Sequence, residues 1–184
     1  GLLDTGKMNR AFKSLAQASD IDLLTGIRVD STEVNEGTCT LHISTLSRDA
    51  STVHPKRLLL ATNAMAAGLI PELDVQPAIN HVLVTDRIPG FDFPHAVHID
   101  AGYVYARPIE NRMLIGGGRH WGLDETGTRN RLHSLLGALW PVVQSAGIAY
   151  EWSGQLGVGS NRSPIVKRLA PNAVAAVRLG GMGV

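Results

Sequence analysis

The feature that most constrains the fold is a short apolar run that passes directly into a glycine-rich turn at the end of the sequence. Residues 173–177 are all alanine or valine, and glycine then fills three of the five positions 179–183. Glycine has no side chain, so the backbone N–H groups of such a turn can approach a ligand closely. A helix that follows a turn of this kind adds donors and a partial positive charge. The pattern predicts a strand that leads into a ligand-binding loop.

Charge and cysteine content exclude several classes of protein. The 184 residues carry 17 Lys and Arg against 16 Asp and Glu, and the basic residues are scattered, which argues against nucleic acid as the main partner. The single cysteine, Cys39, excludes a disulfide framework and fits the cytoplasm, where we expect the protein to be located. No apolar run approaches the length that spans a bilayer. Because the sequence starts at Gly1 and stops inside the glycine-rich turn, we expect a piece of a longer protein.

The first part of the sequence has the periodicity of a helix followed by a hairpin. Apolar residues recur at helical spacing over 8–16, and Asp4 or Thr5 can cap this helix. Apolar and polar residues then alternate over 27–43, on both sides of a turn at 35–37. We predict one amphipathic helix and one β-hairpin, with Cys39 in the core.

A third apolar run lacks this alternation. Residues 57–61 predict a central strand that is buried on both faces. The run ends at the small polar residues Thr62 and Asn63, and open α/β sheets bind their ligands at such strand ends.

Beyond residue 68 the pattern becomes that of an antiparallel sheet. Alternating segments between turn residues predict four strands, at 79–85, 96–99, 103–107 and 113–115. Leucines at helical spacing over 132–139, with Pro141 after them, predict one helix. We draw domain boundaries near residues 68 and 150.

Gly116, Gly117 and Gly118 follow a predicted strand and allow two interpretations. They can cradle a phosphate or carboxylate, although the Gly-Lys-Ser/Thr ending of a P-loop is absent. They can also form a strand-end bulge against which another backbone packs, and we favour this interpretation.

Titratable side chains near residue 100 do not make a complete site. On an extended strand His98 and Asp100 share one face and His95 takes the other, so we favour ordinary strand residues over a metal site. His120 has the chemistry of an acid or base, but the sequence shows no partner for it. We predict no metal site and assign no catalytic residue.

Tyr103 and Tyr105 lie two residues apart on a predicted strand, with Arg107 beyond them. Such a row can present phenols and a guanidinium to a carboxylate-bearing ligand. Cross-strand packing of the aromatic rings explains the same spacing equally well.

Seven stretches follow one another in a recognisable order: Thr-Gly-Ile-Arg-Val at 25–29, Leu-Leu-Leu-Ala-Thr-Asn-Ala at 58–64, Gly-Tyr-Val-Tyr-Ala-Arg-Pro at 102–108, Leu-Ile-Gly-Gly-Gly-Arg at 114–119, Trp-Ser-Gly at 152–154, Asn-Arg-Ser-Pro at 161–164 and Leu-Gly-Gly-Met-Gly-Val at 179–184. In this order they resemble the D-amino-acid oxidase-like family of FAD-dependent oxidoreductases, which includes glycine, sarcosine and γ-glutamylputrescine oxidases. The resemblance covers nearly the whole chain. No single motif is specific to the family, whereas their order is.

The resemblance implies an α/β (α+β) protein of two lobes. A partial Rossmann-like FAD-binding lobe with a β-meander would comprise 1–68, and a substrate lobe on an antiparallel sheet would comprise 69–150. Residues 151–184 would return to the first lobe. The implied cofactor is FAD, and the implied substrate is a small amine or amino acid.

The resemblance also implies roles for individual residues. Val29 would contact the adenine through its backbone, and Ala61, Thr62 and Asn63 would lie along the nucleotide. The isoalloxazine would be lined by the final loop, which consists of Leu179, Gly180, Gly181, Met182, Gly183 and Val184. The implied substrate-binding residues are Tyr103, Arg119 and Gln155.

Two departures from the family pattern bear on the substrate and the cofactor. Many amino-acid oxidases of the family carry an arginine shortly after the Trp-x-Gly strand, where this sequence has Gln155, Leu156 and Gly157. Glutamine cannot form a bidentate ion pair with a carboxylate, which favours an amine or a more neutral substrate unless Arg107 or Arg119 compensates. The Gly-x-Gly-x-x-Gly fingerprint is absent because the sequence starts too late.

These patterns predict part of an FAD-dependent enzyme that oxidises the carbon–nitrogen bond of an amine or amino acid by hydride transfer to the flavin. The alternative is a non-enzymatic small-ligand-binding module in which the glycine turns are purely structural. We expect the 184 residues alone to be inactive, to aggregate and to retain no FAD, because the apolar strand 58–61 lacks neighbours.

Overall fold

The computed structural model describes residues 3–47 and 49–181 and mixes helices with antiparallel strands. Its helices are α1 (Thr5–Ala18), α2 (Ala66–Leu69) and α3 (Glu125–Leu139), with 3-10 turns at Asn63–Met65, Asp100–Gly102 and Pro141–Val143. The strands are β1 (Ile27–Asn35), β2 (Thr38–Thr45), β3 (Ala50–Val53), β4 (Leu58–Leu60), β5 (Gln76–Thr85), β6 (Val97–Ile99), β7 (Val104–Ile109), β8 (Arg112–Gly117), β9 (Ile148–Val158), β10 (Ile165–Ala170) and β11 (Ala173–Val177). This mixed architecture confirms the predicted fold class.

The chain forms two compact units. The first consists of Gly1–Ala61, Gly68–Ile70 and Val166–Ala176, and the second consists of Thr62–Ala67, Pro71–Ile165 and Val177–Val184. The predicted domain boundaries near residues 68 and 150 stay a prediction, because a compact unit need not coincide with a functional domain.

The first unit begins with the predicted helix. The carboxylate of Asp4 accepts a hydrogen bond from the N–H of Lys7 at 2.9 Å, which caps α1. The predicted hairpin is present as β1 and β2, and β3 extends it to an antiparallel sheet of order β1-β2-β3. Cys39 is buried against Ala170 and Ala173, as predicted from its place among the apolar residues of β2.

The run at 57–61 departs from the expectation of a buried central strand. Strand β4 lies at one edge of a three-stranded sheet of order β10-β11-β4 and pairs in parallel with β11, Ala173 opposite Leu58. Within the described residues it has a strand neighbour on that side alone, so Leu59 is 65% exposed while Leu60 is buried. The predicted burial was wrong because an uninterrupted apolar run does not say which neighbours cover it.

The second unit is built on an antiparallel sheet of order β6-β7-β8-β5-β9. Helix α3, capped by the Asp124 carboxylate on the N–H of Gly127, covers one face. The core between helix and sheet includes Leu83, Met113, Ile115, Leu132 and Leu136. The four strands and the helix predicted for this region are confirmed.

Among the helices in the described part of the chain, none combines the length and apolarity that crossing a membrane requires.

Candidate functional site

Two segments predicted to bind the cofactor meet in the second unit. The side-chain Oδ1 of Asn63 accepts a hydrogen bond from the N–H of Leu179 at 3.0 Å, across 116 positions of sequence. The N–H of Gly180 donates to the carbonyl oxygen of Gly157 at 3.1 Å. The polar turn at Asn63 and the glycine loop therefore form one continuous surface.

Gly157 on β9 makes this approach possible. A Cβ atom at Gly157 would lie 2.6 Å from Oδ1 of Asn63 and 3.1 Å from the backbone nitrogen of Ala64. Any larger side chain at this position would push the turn away from the strand, because those atoms are too close to accommodate it.

Two of the predicted substrate-binding residues lie beside the glycine loop. The Arg119 guanidinium lies over the ring of Tyr103, with its carbon 4.6 Å from the ring centroid. The Nη1 atom of Arg119 is 3.7 Å from the position that a Cβ on Gly181 would take. The positive charge of Arg119 is thus held by the aromatic ring next to an exposed glycine backbone.

Tyr103 does not belong to the strand in which we predicted it. Strand β7 begins at Val104, and Tyr103 has helical dihedral angles, φ −78° and ψ −20°, at the end of a 3-10 turn. The predicted row of Tyr103, Tyr105 and Arg107 on one strand face is therefore broken at its first member. From this turn the ring of Tyr103 contacts the side chains of Arg119 and His120.

His120 acquires the partner that the sequence could not show. Its Nε2 lies 2.6 Å from Oδ2 of Asp100, and its ring centroid lies 4.3 Å from that of Tyr103. The hydrogen bond from His120 lowers the pKa of the Asp100 carboxyl, and the hydrogen bond from Trp121 and the charges of His120 and Arg131 lower it further. A charged carboxylate is thereby fixed behind the imidazole.

The three glycines at 116–118 make room for other groups. A Cβ on Gly116 would lie 2.5 Å from the hydroxyl oxygen of Tyr105, and one on Gly118 would lie 2.5 Å from the side chain of Thr128. Gly117 packs against the backbone of Val104, where a Cβ would come within 2.9 Å. This close packing supports the interpretation in which another backbone packs on the glycines over an anion cradle, although Gly116 and Gly117 pair in regular register within β8 and form no bulge.

Burial governs the chemistry of Tyr105. It raises the pKa of the phenol, and the charges of Arg107 and Arg119 oppose this only in part. Tyr105 therefore stays protonated at neutral pH and keeps a hydrogen to donate.

Sequence reasoning missed two arginines of the second unit. Arg162 lies in a loop to which no role was assigned, yet its guanidinium carbon is 5.7 Å from the centroid of the Tyr103 ring. Arg178, which directly precedes the glycine loop and was assigned no role, is 6% exposed. No local pattern distinguishes either of them from a surface arginine.

The remaining predicted site residues lie elsewhere or outside the described residues. Gln155 on β9 pairs with Ile79 and, by strand alternation, faces away from the side of Leu156 that approaches Gly181. Val29 on β1 and Ala61 belong to the first unit. Met182, Gly183 and Val184 lie outside the described residues, so their roles stay predictions.

A family model described as FAD dependent oxidoreductase, of the DAO type, matches residues 1–184. The chain belongs to this family. FAD is accordingly the cofactor of the DAO-family protein to which these residues belong. No curated protein sequence matches the chain.

Several solved structures share the fold of this chain at low sequence identity. Iminodiacetate oxidase from Chelativorans sp. BNC1 is 16% identical with a TM-score of 0.70, and the match covers 91% of this chain and 47% of that one. Glycine oxidase from Geobacillus kaustophilus is 18% identical with a TM-score of 0.70, covering 90% and 46%. L-Proline dehydrogenase from P. horikoshii is 15% identical with a TM-score of 0.70, covering 98% and 51%. The chain spans about half the length of these structures.

The residues of the second unit fit the cofactor of the DAO family. Gly181 is exposed, and a Cβ atom there would lie no closer than 3.7 Å to another group, so a flat ring such as that of a flavin can approach the backbone of the loop. The hydroxyl of Thr62 is buried and has no hydrogen-bond partner among the described residues. A bound nucleotide is the kind of group that satisfies such an atom.

Proposed function

We propose that the protein oxidises the carbon–nitrogen bond of a small amine or amino acid to an imine. The observation that carries the proposal is the hydrogen bond between Asn63 and Leu179, with Arg119 and Tyr103 beside the same loop. Residues predicted for the cofactor and residues predicted for the substrate are neighbours in one compact unit. Such proximity is what hydride transfer between two bound molecules requires.

In this proposal Asn63 and residues 179–181 orient the cofactor. Asn63 holds the backbone of Leu179, and Gly157 holds that of Gly180, so the loop is ordered before anything binds. FAD, when bound, supplies the hydride acceptor for the carbon next to the substrate nitrogen.

Arg119 and Tyr103 would bind the polar end of the substrate. The aromatic ring keeps the guanidinium from swinging into solvent, and the guanidinium offers paired donors to a carboxylate. Arg119 would compensate for the arginine that the sequence lacks after Trp152, where Gln155 faces the other side of β9. Amino acids and amines are both substrates under this arrangement, and Arg119 favours those that carry an acidic group.

The substrate assignment is tested with Arg119→Gln in the protein expressed from its complete reading frame. Glycine, sarcosine and benzylamine are added anaerobically, and bleaching of the flavin absorbance is followed. We expect the KM for the two carboxylates to rise about tenfold or more, because a charge-assisted hydrogen bond is lost. The value for benzylamine should change little.

Arg87→Gln is the matched control. Arg87 also belongs to the second unit and pairs with Glu110 at 2.7 Å, but both side chains of this pair are exposed to solvent. Its replacement should leave every KM unchanged. Equal losses for all three substrates in Arg119→Gln would contradict a carboxylate-binding role.

The choice between an enzyme and a ligand-binding module depends on turnover. A flavin that none of a broad panel of amines and amino acids reduces would favour the module. We also propose that the 184 residues need the rest of their reading frame to act, and that the protein works in the cytoplasm. An upstream reading frame that encodes no strand followed by Gly-x-Gly-x-x-Gly would contradict the first of these two proposals.

A further inference from the structure

Arg178 adopts a backbone conformation that arginine rarely takes. It follows β11 and has φ +61°, in the left-handed region that favours glycine. Its side chain is 7% exposed, although arginine is among the residues most often found in solvent. A strained and buried arginine persists only where its surroundings over-determine it.

The surroundings of Arg178 come from two separate segments of the second unit, one at Asp74 and one at residues 161–163. Its Nε donates to the carbonyl oxygen of Ser163 at 2.9 Å, and its Nη2 donates to Oδ1 of Asn161 at 2.9 Å. Its Nη1 donates to the carbonyl oxygen of Asp74 at 3.1 Å and also to the Asp74 carboxylate. Every nitrogen of the guanidinium is therefore occupied.

The partners of Arg178 are themselves fixed. Asp74 also accepts hydrogen bonds from the backbone N–H of Ser160, at 3.0 Å, and from its hydroxyl, at 2.6 Å. Gly159 leaves the space for the side chain, because a Cβ there would lie 2.7 Å from Cδ of Arg178. The network is complete without contribution from a ligand.

The backbone continues from this clamp directly into the candidate cofactor loop. Immediately after Arg178, the N–H of Leu179 is held by Asn63 and that of Gly180 by Gly157. Gly181, the next residue, is exposed. Three consecutive residues are thus anchored, and the exposed glycine lies at the end of the anchored segment.

We propose that Arg178 is a positioning residue that holds residues 179–181 in their binding conformation before FAD arrives. A loop that is already ordered loses less conformational entropy when it binds. This inference rests on the proposed role of residues 179–181 toward FAD. The positive φ at Arg178 sets the direction in which the backbone enters the loop, and hydrogen bonds to two separate segments keep that conformation from relaxing.

The test uses Arg178→Lys in the protein expressed from its complete reading frame. Lysine keeps the charge, but its single nitrogen cannot reach Asp74, Asn161 and Ser163 at once. We expect FAD to bind about tenfold more weakly, in line with the loss of a charged hydrogen bond. Amide hydrogen exchange of the apoprotein should accelerate in peptides that contain Leu179 and Gly180, and the absorbance spectrum of the remaining bound flavin should shift.

A merely structural role would lower stability without these local effects. Arg168→Lys is the matched control, since Arg168 also donates to a backbone carbonyl, that of Pro171 at 3.0 Å, but belongs to the first unit. Asn161→Ala removes one acceptor atom, which Nη2 of Arg178 shares with the N–H of Ser163, and this variant provides the test if Arg178→Lys fails to fold. In that case the same loop-specific exchange and weaker FAD binding are expected of Asn161→Ala.

The outcomes separate this inference from the proposed function. Unchanged FAD affinity, flavin spectrum and loop exchange in Arg178→Lys, or in Asn161→Ala where that variant decides, would overturn the positioning role alone. A wild-type protein that binds no FAD would overturn the cofactor site itself, whatever the variants do. Faster exchange throughout the second unit, rather than in the loop, would assign Arg178 to stability and also contradict the proposal.

Discussion

The two units of the chain differ in how completely they bury their apolar side chains. In the second, large side chains such as Leu83, Met113 and Leu132 are enclosed between α3 and the five-stranded sheet. In the first, the buried cluster consists of the small residues Cys39, Ala170 and Ala173. Helix α1 has no buried residue, although its sequence is amphipathic. Correct local structure therefore does not guarantee a core, and the two units should respond differently to the same kind of mutation.

The largest expected difference comes from truncating one apolar side chain in each unit. Leu132→Ala should lower the free energy of unfolding by about 2–5 kcal/mol, because Leu132 is fully buried. Phe12→Ala should change it by less than about 0.5 kcal/mol, because Phe12 is 59% exposed. Urea unfolding of the 184-residue chain, at a concentration low enough to keep it dispersed and followed by circular dichroism, measures both. Equal losses would show that α1 is packed and that the contrast between the units is wrong.

Glycine replacement gives the next largest effect. Gly157→Ala should cost about 1–3 kcal/mol, because the methyl group would collide with Asn63. Gly68→Ala in the first unit meets nothing within 4 Å and should be neutral or stabilising by up to about 1 kcal/mol. The same unfolding experiment compares them. A tolerated Gly157→Ala would mean that the turn at Asn63 can move, which the proposed cofactor surface does not allow.

The contribution of an ion pair to stability should depend on pH, and this dependence should be larger for a pair of the second unit than for one of the first. Hydrogen bonds from Ser160, with the charge of Arg178, lower the pKa of Asp74 below its usual 3.8. A lowered folded-state pKa means that the contribution to stability is present above about pH 4 and is lost as the pH falls through the folded value. The stability difference between wild type and Asp74→Asn should therefore shrink below about pH 4.

Asp30 in the first unit provides the comparison for that pH series. Hydrogen bonds from Ser44 and Arg28 lower its pKa too, but the Arg28 side chain is 80% exposed and solvent screens the pair. Asp30→Asn should alter stability less than Asp74→Asn at neutral pH. The reverse order would argue against the clamp around Arg178.

The smallest effect on stability is expected at the exposed edge of the first unit. Leu59→Thr should leave the free energy of unfolding within about 0.5 kcal/mol of wild type and should reduce aggregation of the 184-residue chain, measured by light scattering. Leu60→Thr is the control, since Leu60 is buried and its replacement should destabilise the sheet. If Leu59→Thr does not reduce aggregation, the surface through which the chains associate lies elsewhere.

The periodicity of the sequence predicted the elements that carry an alternating or helical pattern. Strands β3 and β10 were missed because their sequences, Ala-Ser-Thr-Val and Ile-Val-Lys-Arg-Leu-Ala, lack that pattern. The central-strand prediction for β4 failed for the opposite reason: its apolar pattern is strong, but the neighbour that would bury Leu59 is not encoded in it. Local pattern predicts the type of an element better than its surroundings.

Less of the candidate site could be predicted. The glycine loop and Asn63 stood out through composition and resemblance, whereas their contact spans 116 positions and depends on the tertiary fold. The clamp on Arg178 could not be anticipated, because the partners that bury this arginine come from two separate segments, one of them 104 positions away. Long-range polar contacts of this kind leave no periodic signal.

The glycines at 116–118 have a consequence for how this protein can change. The space that a side chain would fill at each of these glycines is occupied by a group from another element. These groups are the ring of Tyr105, the backbone at Val104 and the side chain of Thr128. An enlargement at Gly116 is compatible with the fold only if Tyr105 becomes smaller in the same step. Positions that share volume in this way must be exchanged in pairs. A library that varies one position at a time would find Gly116 immutable, although the pair of positions has room to change.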